Sequence, residues 1–417
     1  MIRTKLLMIA PYPVANPQHG GQKRAKALLQ FYKDHVQTVE FVGVYHRGHY
    51  KDWSEDDLQL GDPEIIHSVD LNPLKTEIIA GMALDKDTYV RSFMAKKLME
   101  FKPDIIHIEQ VFPYLGLKVL LLELGLRARV IFGSQNIEYI LKQQILDSSS
   151  ASDAEKKSII NQVKELETDF SAKADLVIAV SDQDAKVHKS MGAKICIVAP
   201  NGIEKSMPSQ VANKYWQEFK KIHAIKNAIV FVGSAHPPNW LGFKKMLGDK
   251  FNFLPEGSKI ILAGGIADYF EQQYDKGDPI WKKVIPVGKL DEDSLSGLLT
   301  TCDMLLLPIT LGGGSNLKTA EAILSGKKTV ATNYAFRGFE QYSTLPNIYL
   351  ANNPKTFQET VARVIDMQYE IRNSSEVELA NHVQWKYTLL PLLPMLKKLA
   401  HRTIKQRAKR VARRLLR

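Results

Sequence analysis

Twelve short apolar runs, rich in β-branched residues and separated by longer segments of helical periodicity, constrain this chain more than any other feature. KLLMIA (5–10), VEFVGVY (39–45), DIIHIE (104–109), RVIFGS (129–134), DLVIAVS (175–181) and ICIVAP (195–200) form one group. AIVFVGS (228–234), KIILAGG (259–265), KVIPVG (283–288), DMLLLPI (303–309), KTVATN (328–333) and IYLAN (348–352) form a second. Runs this continuously apolar suit strands buried on both faces, hence parallel sheets sandwiched by helices. The 417 residues exceed what one ordinary core encloses. The pattern predicts an α/β protein of two doubly wound, Rossmann-like domains facing across a cleft, 1–205 and 206–385, followed by a C-terminal helix and basic amphipathic tail over 386–417. The first boundary falls within the polar stretch 203–226.

Charge separates the body from the tail. The net charge is +11, and 397–417 alone holds ten Lys or Arg with no Asp or Glu, leaving the rest close to neutral. That is not the footprint of a nucleic-acid-binding face, so no nucleic-acid partner is expected. The two cysteines, Cys196 and Cys302, lie in or beside apolar runs and read as small buried hydrophobes of a reducing compartment. No run reaches the roughly 18–20 apolar residues of a membrane span. The N-terminal run is cut by Pro11 and Pro13, which favours a first strand over a signal peptide and a cytoplasmic protein. No His/Cys/Asp cluster has metal-ligand spacing, and neither a P-loop nor a Gly-x-Ser-x-Gly elbow occurs.

In open α/β sheets ligands bind beyond the carboxyl ends of the strands, so residues just after each run are the candidates. After DMLLLPI come Gly312, Gly313 and Gly314, then Ser315, Asn316, Leu317 and Lys318 at the start of a helical pattern. Glycines admit a close backbone approach to a ligand, and a helix start favours an anion. Lys318 in the first turn opposes the helix dipole unless an anion is present. Glu321 lies one turn on, suited to accept from two vicinal ribose hydroxyls. Taken alone, these residues leave open a flexible turn carrying a Lys–Glu helix pair.

Several segments, in order from about residue 5 to 340, resemble the retaining glycosyltransferases of family 4, which have the GT-B fold. DMLLLPITLGGGSNLKTAEAILSGKKTVATNYAFRGFE is similar to that family's donor-binding signature, and ADLVIAVSDQDAKVHKSMGAKICIVAPNGIE to its interdomain segment. IVFVGSAHPPNWLGF resembles the opening of its second domain and IAPYPVANPQHGGQKRAKALL its first strand, glycine loop and helix. The resemblance implies transfer of a sugar from a nucleoside diphosphate sugar, of UDP or GDP type, to a hydroxyl acceptor without a further cofactor. It implies retention of configuration by front-face attack, with Glu321 on the donor ribose and the preceding turn on the diphosphate. Gly20 and Gly21, with Lys23 and Arg24 behind them, would face the donor phosphates or the acceptor from the first domain, with a glycine turn before a solvated basic helix start as the alternative. Gly233, His236, Asn239, Gly288 and Leu290, which follow other strands of the second group, complete the expected donor set, with a simple strand-to-helix turn as the alternative for His236 and Asn239.

The chain also departs from that pattern. The second glutamate that many relatives carry eight positions before Glu321 is here Gly313. The Arg/Lys pair common after the second domain's first strand is absent from GSAHPPNW, leaving Lys318 as the expected cation for the leaving diphosphate, with Lys289 or Arg337 as helpers. Glu109 stands where some relatives have a histidine; it is expected in a catalytic role, orienting an acceptor hydroxyl or stabilising charge at the sugar, with a structural strand-end acid as the alternative. His107 is expected to be packed. Asn136 and Glu138 are candidates for the acceptor side. The tail's Leu399, Ile404, Ala408, Val411 and Leu415, interleaved with basic residues, suit a helix on an anionic membrane. A peripheral protein on the inner membrane face, acting on a carbohydrate or lipid-linked acceptor of envelope polysaccharide or glycolipid synthesis, fits that reading. A nucleotide-sugar epimerase and a silent sugar- or protein-binding scaffold of the same fold are the rivals.

Overall fold

The computed structural model describes residues 1–46, 50, 58–60, 76–147, 149–235 and 237–401. The chain divides into two compact units, one of 1–200 with 388–417, the other of 201–387.

The first unit holds seven strands: β1 (Ile2–Ala10), β2 (Val36–His46), β3 (Leu58–Leu60), β4 (Ile105–Glu109), β5 (Arg129–Gly133), β6 (Leu176–Ala179) and β7 (Cys196–Val198). They form one sheet in the order β3-β2-β1-β4-β5-β6-β7, and every pairing is parallel. The second unit holds β8 (Asn227–Val232), β9 (Ser258–Ala263), β10 (Val284–Gly288), β11 (Met304–Leu307), β12 (Lys328–Ala331) and β13 (Ile348–Leu350). Its order is β10-β9-β8-β11-β12-β13, again all parallel. All twelve apolar runs become strands. β3, a three-residue edge strand, has no counterpart among them because so short a segment carries no readable alternation.

Continuous burial explains the continuous apolar runs. All residues of β4 and of β11 are buried. In the first unit Leu7, Ile106, Ile108 and Val177 meet Phe132 and Phe170, whose rings stack at 4.2 Å. In the second, Ile229, Phe231, Leu262, Leu305 and Val330 pack with Phe243, stacked on Phe231 at 5.8 Å. Helix starts carry the oxygen side chains that satisfy first-turn N–H groups: Ser152, Ser181, Ser209 and Asp291 each accept from a backbone N–H of the helix they precede.

Each strand order reverses once, at β1/β4 and at β8/β11. These are the switch points of doubly wound sheets, where the loops after the two strands diverge and leave a crevice. The segment from 388 groups with the first unit. Within it, residues 392–401 are helical, with Leu392, Leu396, Leu399 and Ala400 buried and Lys397, Lys398 and His401 exposed. Residues 402–417, most of the basic tail, lie outside the described residues.

Candidate functional site

At the β8/β11 switch point, the glycine loop leaves β11 and runs into the helix Leu317–Ser325. Gly312 has φ +117° and Gly314 φ +60°, values that L side chains rarely adopt, so the loop's path depends on these glycines. Ser315, 6% exposed, is tied down from the other end of the unit: Asn201 N donates to its Oγ at 3.0 Å, and Asn201 Nδ2 to its carbonyl at 2.7 Å. Asn316 takes the helix N-cap position without a side-chain cap bond, and its Nδ2 is buried without a hydrogen-bond partner.

Lys318 is the chemical centre of this crevice. Its Nζ donates to Asn239 Oδ1 at 2.5 Å and lies 5.5 Å from the Phe231 ring centroid. Asn239 is fixed in turn by donating to Ser234 O (3.0 Å) and Ser234 Oγ (3.1 Å), so one hydrogen-bonded chain joins the loop after β8 to the helix after β11. Gly242 makes this approach feasible, because a Cβ there would overlap the carbonyl of Pro308 just past β11. The side chain of Lys318 keeps some solvent access while its ammonium is enclosed; burial lowers its pKa to about 8, the charge of Glu321 opposing. No ion pair among the described residues involves Lys318, so a cation stands here beside a neutral amide and an aromatic face. Glu321 follows in the same helix and is partly buried.

The other expected donor residues fall into two kinds. Leu317 opens the helix and is partly exposed, and Gly313 is likewise partly exposed. Gly233 is buried, with Ile266 3.0 Å from where a Cβ would stand, and it exchanges backbone bonds with Ala263 and Ile266; it fastens the loops after β8 and β9 together. Gly288, at φ +68°, accepts from Gly264 N at 2.6 Å, and nothing lies within 4 Å of a Cβ there. Leu290 packs against the core. His236 lies outside the described residues. Sequence reasoning missed Tyr334, whose hydroxyl donates to Gly312 O at 2.5 Å, because a tyrosine 22 residues downstream leaves no local signal.

The β1/β4 switch point is filled differently. Glu109 is fully buried, and its carboxylate is surrounded: Arg24 Nε lies 3.4 Å from Oε1, Gln135 Nε2 donates to Oε1 at 2.8 Å, and His107 Nε2 donates to Oε2 at 2.6 Å. Tyr32 Oη and His107 Nδ1 are hydrogen-bonded at 2.7 Å, and Arg24 Nη1 donates to Ala199 O at 3.0 Å. Burial pushes the Glu109 carboxyl up, but the hydrogen bond and charge of His107, then Arg24 and Gln135, outweigh it and hold the carboxyl below its ordinary range. The glycine loop is part of the same assembly. Gln135 Nε2 also donates to Tyr12 Oη and to Gly21 O (3.3 Å), and a Cβ on Gly21 would stand 2.6 Å from Gln135 Oε1. A Cβ on Gly133 would overlap both Glu109 Oε2 and His107 Nε2. Gly20 begins the helix Gly20–His35, capped by His19. In this arrangement Glu109 reaches its surroundings through Gln135 rather than by an exposed oxygen, and His107 is packed.

Asn136 Nδ2 donates to Glu138 Oε1 at 3.1 Å. Glu138 is 4% exposed, and burial with the charge of Glu77 lifts its pKa to about 7. Glu167, fully buried, accepts from the N–H groups of Glu138 and Tyr139 at 3.0 and 3.3 Å and caps that helix start; burial raises its pKa to about 8. Among the described residues no group of His, Cys, Asp and Glu could hold a metal ion, and no helix is long and apolar enough to cross a membrane. A cavity of about 630 Å³, lined by Lys220, Lys221, Lys226 and Thr300 among others, lies at the N-terminal ends of the second sheet's strands, away from this chemistry.

No protein-family model matches the sequence, and no curated protein aligns with it. Solved structures do match over nearly the full length. HepE of Anabaena, solved in complex with UDP, aligns at 14% identity over 98% of this chain and 99% of its own, with a TM-score of 0.56. Sucrose-phosphate synthase of Thermosynechococcus elongatus aligns at 13% identity over 98% and 99%, with a TM-score of 0.63. The catalytic domain of starch synthase IV of Arabidopsis thaliana, bound to ADP and acarbose, aligns at 13% identity over 96% and 99%, with a TM-score of 0.61. The chain therefore has the GT-B fold, two Rossmann-like domains, that these glycosyltransferases share.

Proposed function

We propose that this protein transfers a sugar from a nucleoside diphosphate sugar to a hydroxyl acceptor, with retention of configuration. The observation that carries the reading is Lys318: an enclosed ammonium with no carboxylate within ion-pair distance among the described residues, held by Asn239 at the mouth of a glycine loop and one helical turn before Glu321. A diphosphate supplies the missing negative charge, and Glu321 accepts from the ribose hydroxyls. Structures of the same fold with UDP-glucose and with ADP bound support this assignment by analogy. The chemistry asked of the protein is then positioning and charge stabilisation of the leaving diphosphate, for which no protein nucleophile is needed. Incubation with a panel of UDP-, GDP- and ADP-sugars and hydroxyl acceptors tests it. Acceptor-dependent release of one nucleoside diphosphate, with the product anomer matching the donor by NMR, is the expected result. Release of an epimer without acceptor, or nucleotide binding without turnover, would move the assignment to an epimerase or a silent scaffold.

An acceptor of envelope polysaccharide or glycolipid synthesis suits the basic tail, which would bring the enzyme to an anionic membrane. Leu399, the first residue of the tail's apolar stripe, is buried in the first unit, so the membrane contact is assigned to residues beyond 401. Removing 402–417 should abolish co-sedimentation with anionic vesicles; unchanged binding would refute the tail as anchor.

A further inference from the structure

The loop after β12 holds the glycine loop by its carbonyl groups. Arg337 donates through Nε to Gly314 O at 2.6 Å and through Nη1 to Gly312 O at 3.1 Å, while Tyr334 O–H donates to the same Gly312 O. The guanidinium lies 4.6 Å from the Tyr334 ring centroid. This turn is itself anchored. Thr332 Oγ1 donates to Ile309 O and accepts from Ala335 N at 3.1 Å, and Thr319 Oγ1 donates to Ala335 O at 2.6 Å.

Peptide geometry turns these contacts into a statement about the opposite side of the loop. In a planar trans peptide the C=O of one residue and the N–H of the next point in opposite directions, and no cis bond occurs here. Holding Gly312 O and Gly314 O therefore directs the N–H groups of Gly313 and Ser315 away from Arg337. Neither N–H has a hydrogen-bond partner among the described residues. Two donors on one side of a loop that alternates into positive φ make an anion-binding concavity.

We propose that Arg337, with Tyr334, is a positioning residue that sets the glycine loop in this anion-binding form. Its bidentate hold on two carbonyls, rather than its charge, presents Gly313 N–H and Ser315 N–H to a diphosphate. The proposal rests on the nucleotide-binding reading and explains how the loop manages without a carboxylate at Gly313: the backbone contributes the contacts, and the clamp keeps it rigid. Arg337 Nη2 has no hydrogen-bond partner, so the competing arrangement is direct contact between the guanidinium and the ligand.

The test is calorimetry with inorganic pyrophosphate, UDP, GDP, ADP and the matching nucleosides on wild type, Arg337→Gln, Arg337→Lys, Gly312→Ala and Arg337→Gln/Gly312→Ala. Thermal melts and retained nucleoside binding report that each variant folds. For the clamp, Arg337→Gln and Arg337→Lys should each weaken pyrophosphate and diphosphate binding by roughly tenfold or more, leaving nucleoside affinity unchanged. The double variant should lose little more than either single variant, because both remove one loop conformation. Restoration of binding by lysine would show that charge matters and overturn the clamp, and so would additive losses. Wild-type binding unaffected by Arg337→Gln removes the clamp alone, whereas wild type that binds no diphosphate overturns the nucleotide reading together with the clamp.

Discussion

The two sheets share their central strand order, yet the crevices at their reversals are occupied in opposite ways. At β1/β4 a carboxylate, Glu109, meets Arg24, His107 and Gln135 inside the protein, and glycines at 21 and 133 make room for them. At β8/β11 a cation, Lys318, donates to a neutral amide beside a ring face, with the Glu321 charge acting on it without a close ion pair, and the N–H groups of Gly313 and Ser315 have no hydrogen-bond partner among the described residues. One switch point closes its charge in a tight buried network; the other holds its cation without a close ion pair, the arrangement on which the proposed nucleotide site rests. The same contrast separates the two residues that sequence reasoning paired as catalytic: the Lys318 side chain keeps some solvent exposure, and Glu109 is fully buried within its own unit.

The largest expected effect lies in the closed crevice. Glu109→Gln leaves the Arg24 guanidinium buried without its counter-ion and should cost about 3–5 kcal/mol, read as a large drop in the melting midpoint. A near-neutral change would show that the network contributes little and would blur the contrast. Gly133→Ala forces a methyl into the Glu109–His107 pair and should cost about 1–3 kcal/mol by overpacking.

In the open crevice the ranking of stability and binding reverses. Lys318→Met should leave the melting midpoint unchanged or slightly raised, since it removes an enclosed charge, while nucleotide affinity falls by about 1.5–3 kcal/mol, the range for charged hydrogen bonds. Titration gives the same contrast its sign. With a pKa near 8, Lys318 is charged below that pH and loses its proton above it, so nucleotide affinity should fall as pH rises from 7 to 9. Stability should move the other way: the penalty for burying the cation is fully present below pH 8 and disappears as pH rises towards the unfolded value of 10.5. Affinity measured across this range in wild type and Lys318→Met checks it, and a mutant with the wild-type slope would assign the dependence elsewhere.

The smallest effect is expected at Glu138 and Glu167. Their folded pKa values, about 7 and about 8, lie above the ordinary 4.5, so the proton is held more tightly in the fold. Their contribution to stability is present at low pH and lost as pH rises through 7 and 8. Denaturant midpoints at pH 5.5 and 8.5 should differ less in Glu138→Gln than in wild type.

How much of this the sequence disclosed depends on how far apart the cooperating residues lie. The strands and their parallel character were legible because each run of buried residues is contiguous. The glycine loop, Lys318 and Glu321 were legible because one loop and one helical turn contain them. The closure of Glu109 was not, since Arg24 lies 85 positions away and only the β1-β4 pairing brings the two together. Tyr334 was equally hidden, and Arg337 appeared only as a spare cation, because a hold on backbone carbonyls leaves no pattern in side-chain type.

The measurement that bears most directly on the central claim is calorimetric titration of UDP, GDP and ADP into wild type, Lys318→Met and Glu321→Ala. One nucleotide should bind at a single site, and each substitution should weaken it by about 1–3 kcal/mol with little change in the melting midpoint. Binding that survives both substitutions, or no binding of any of the three, would contradict the assignment of the β8/β11 crevice as the nucleotide site.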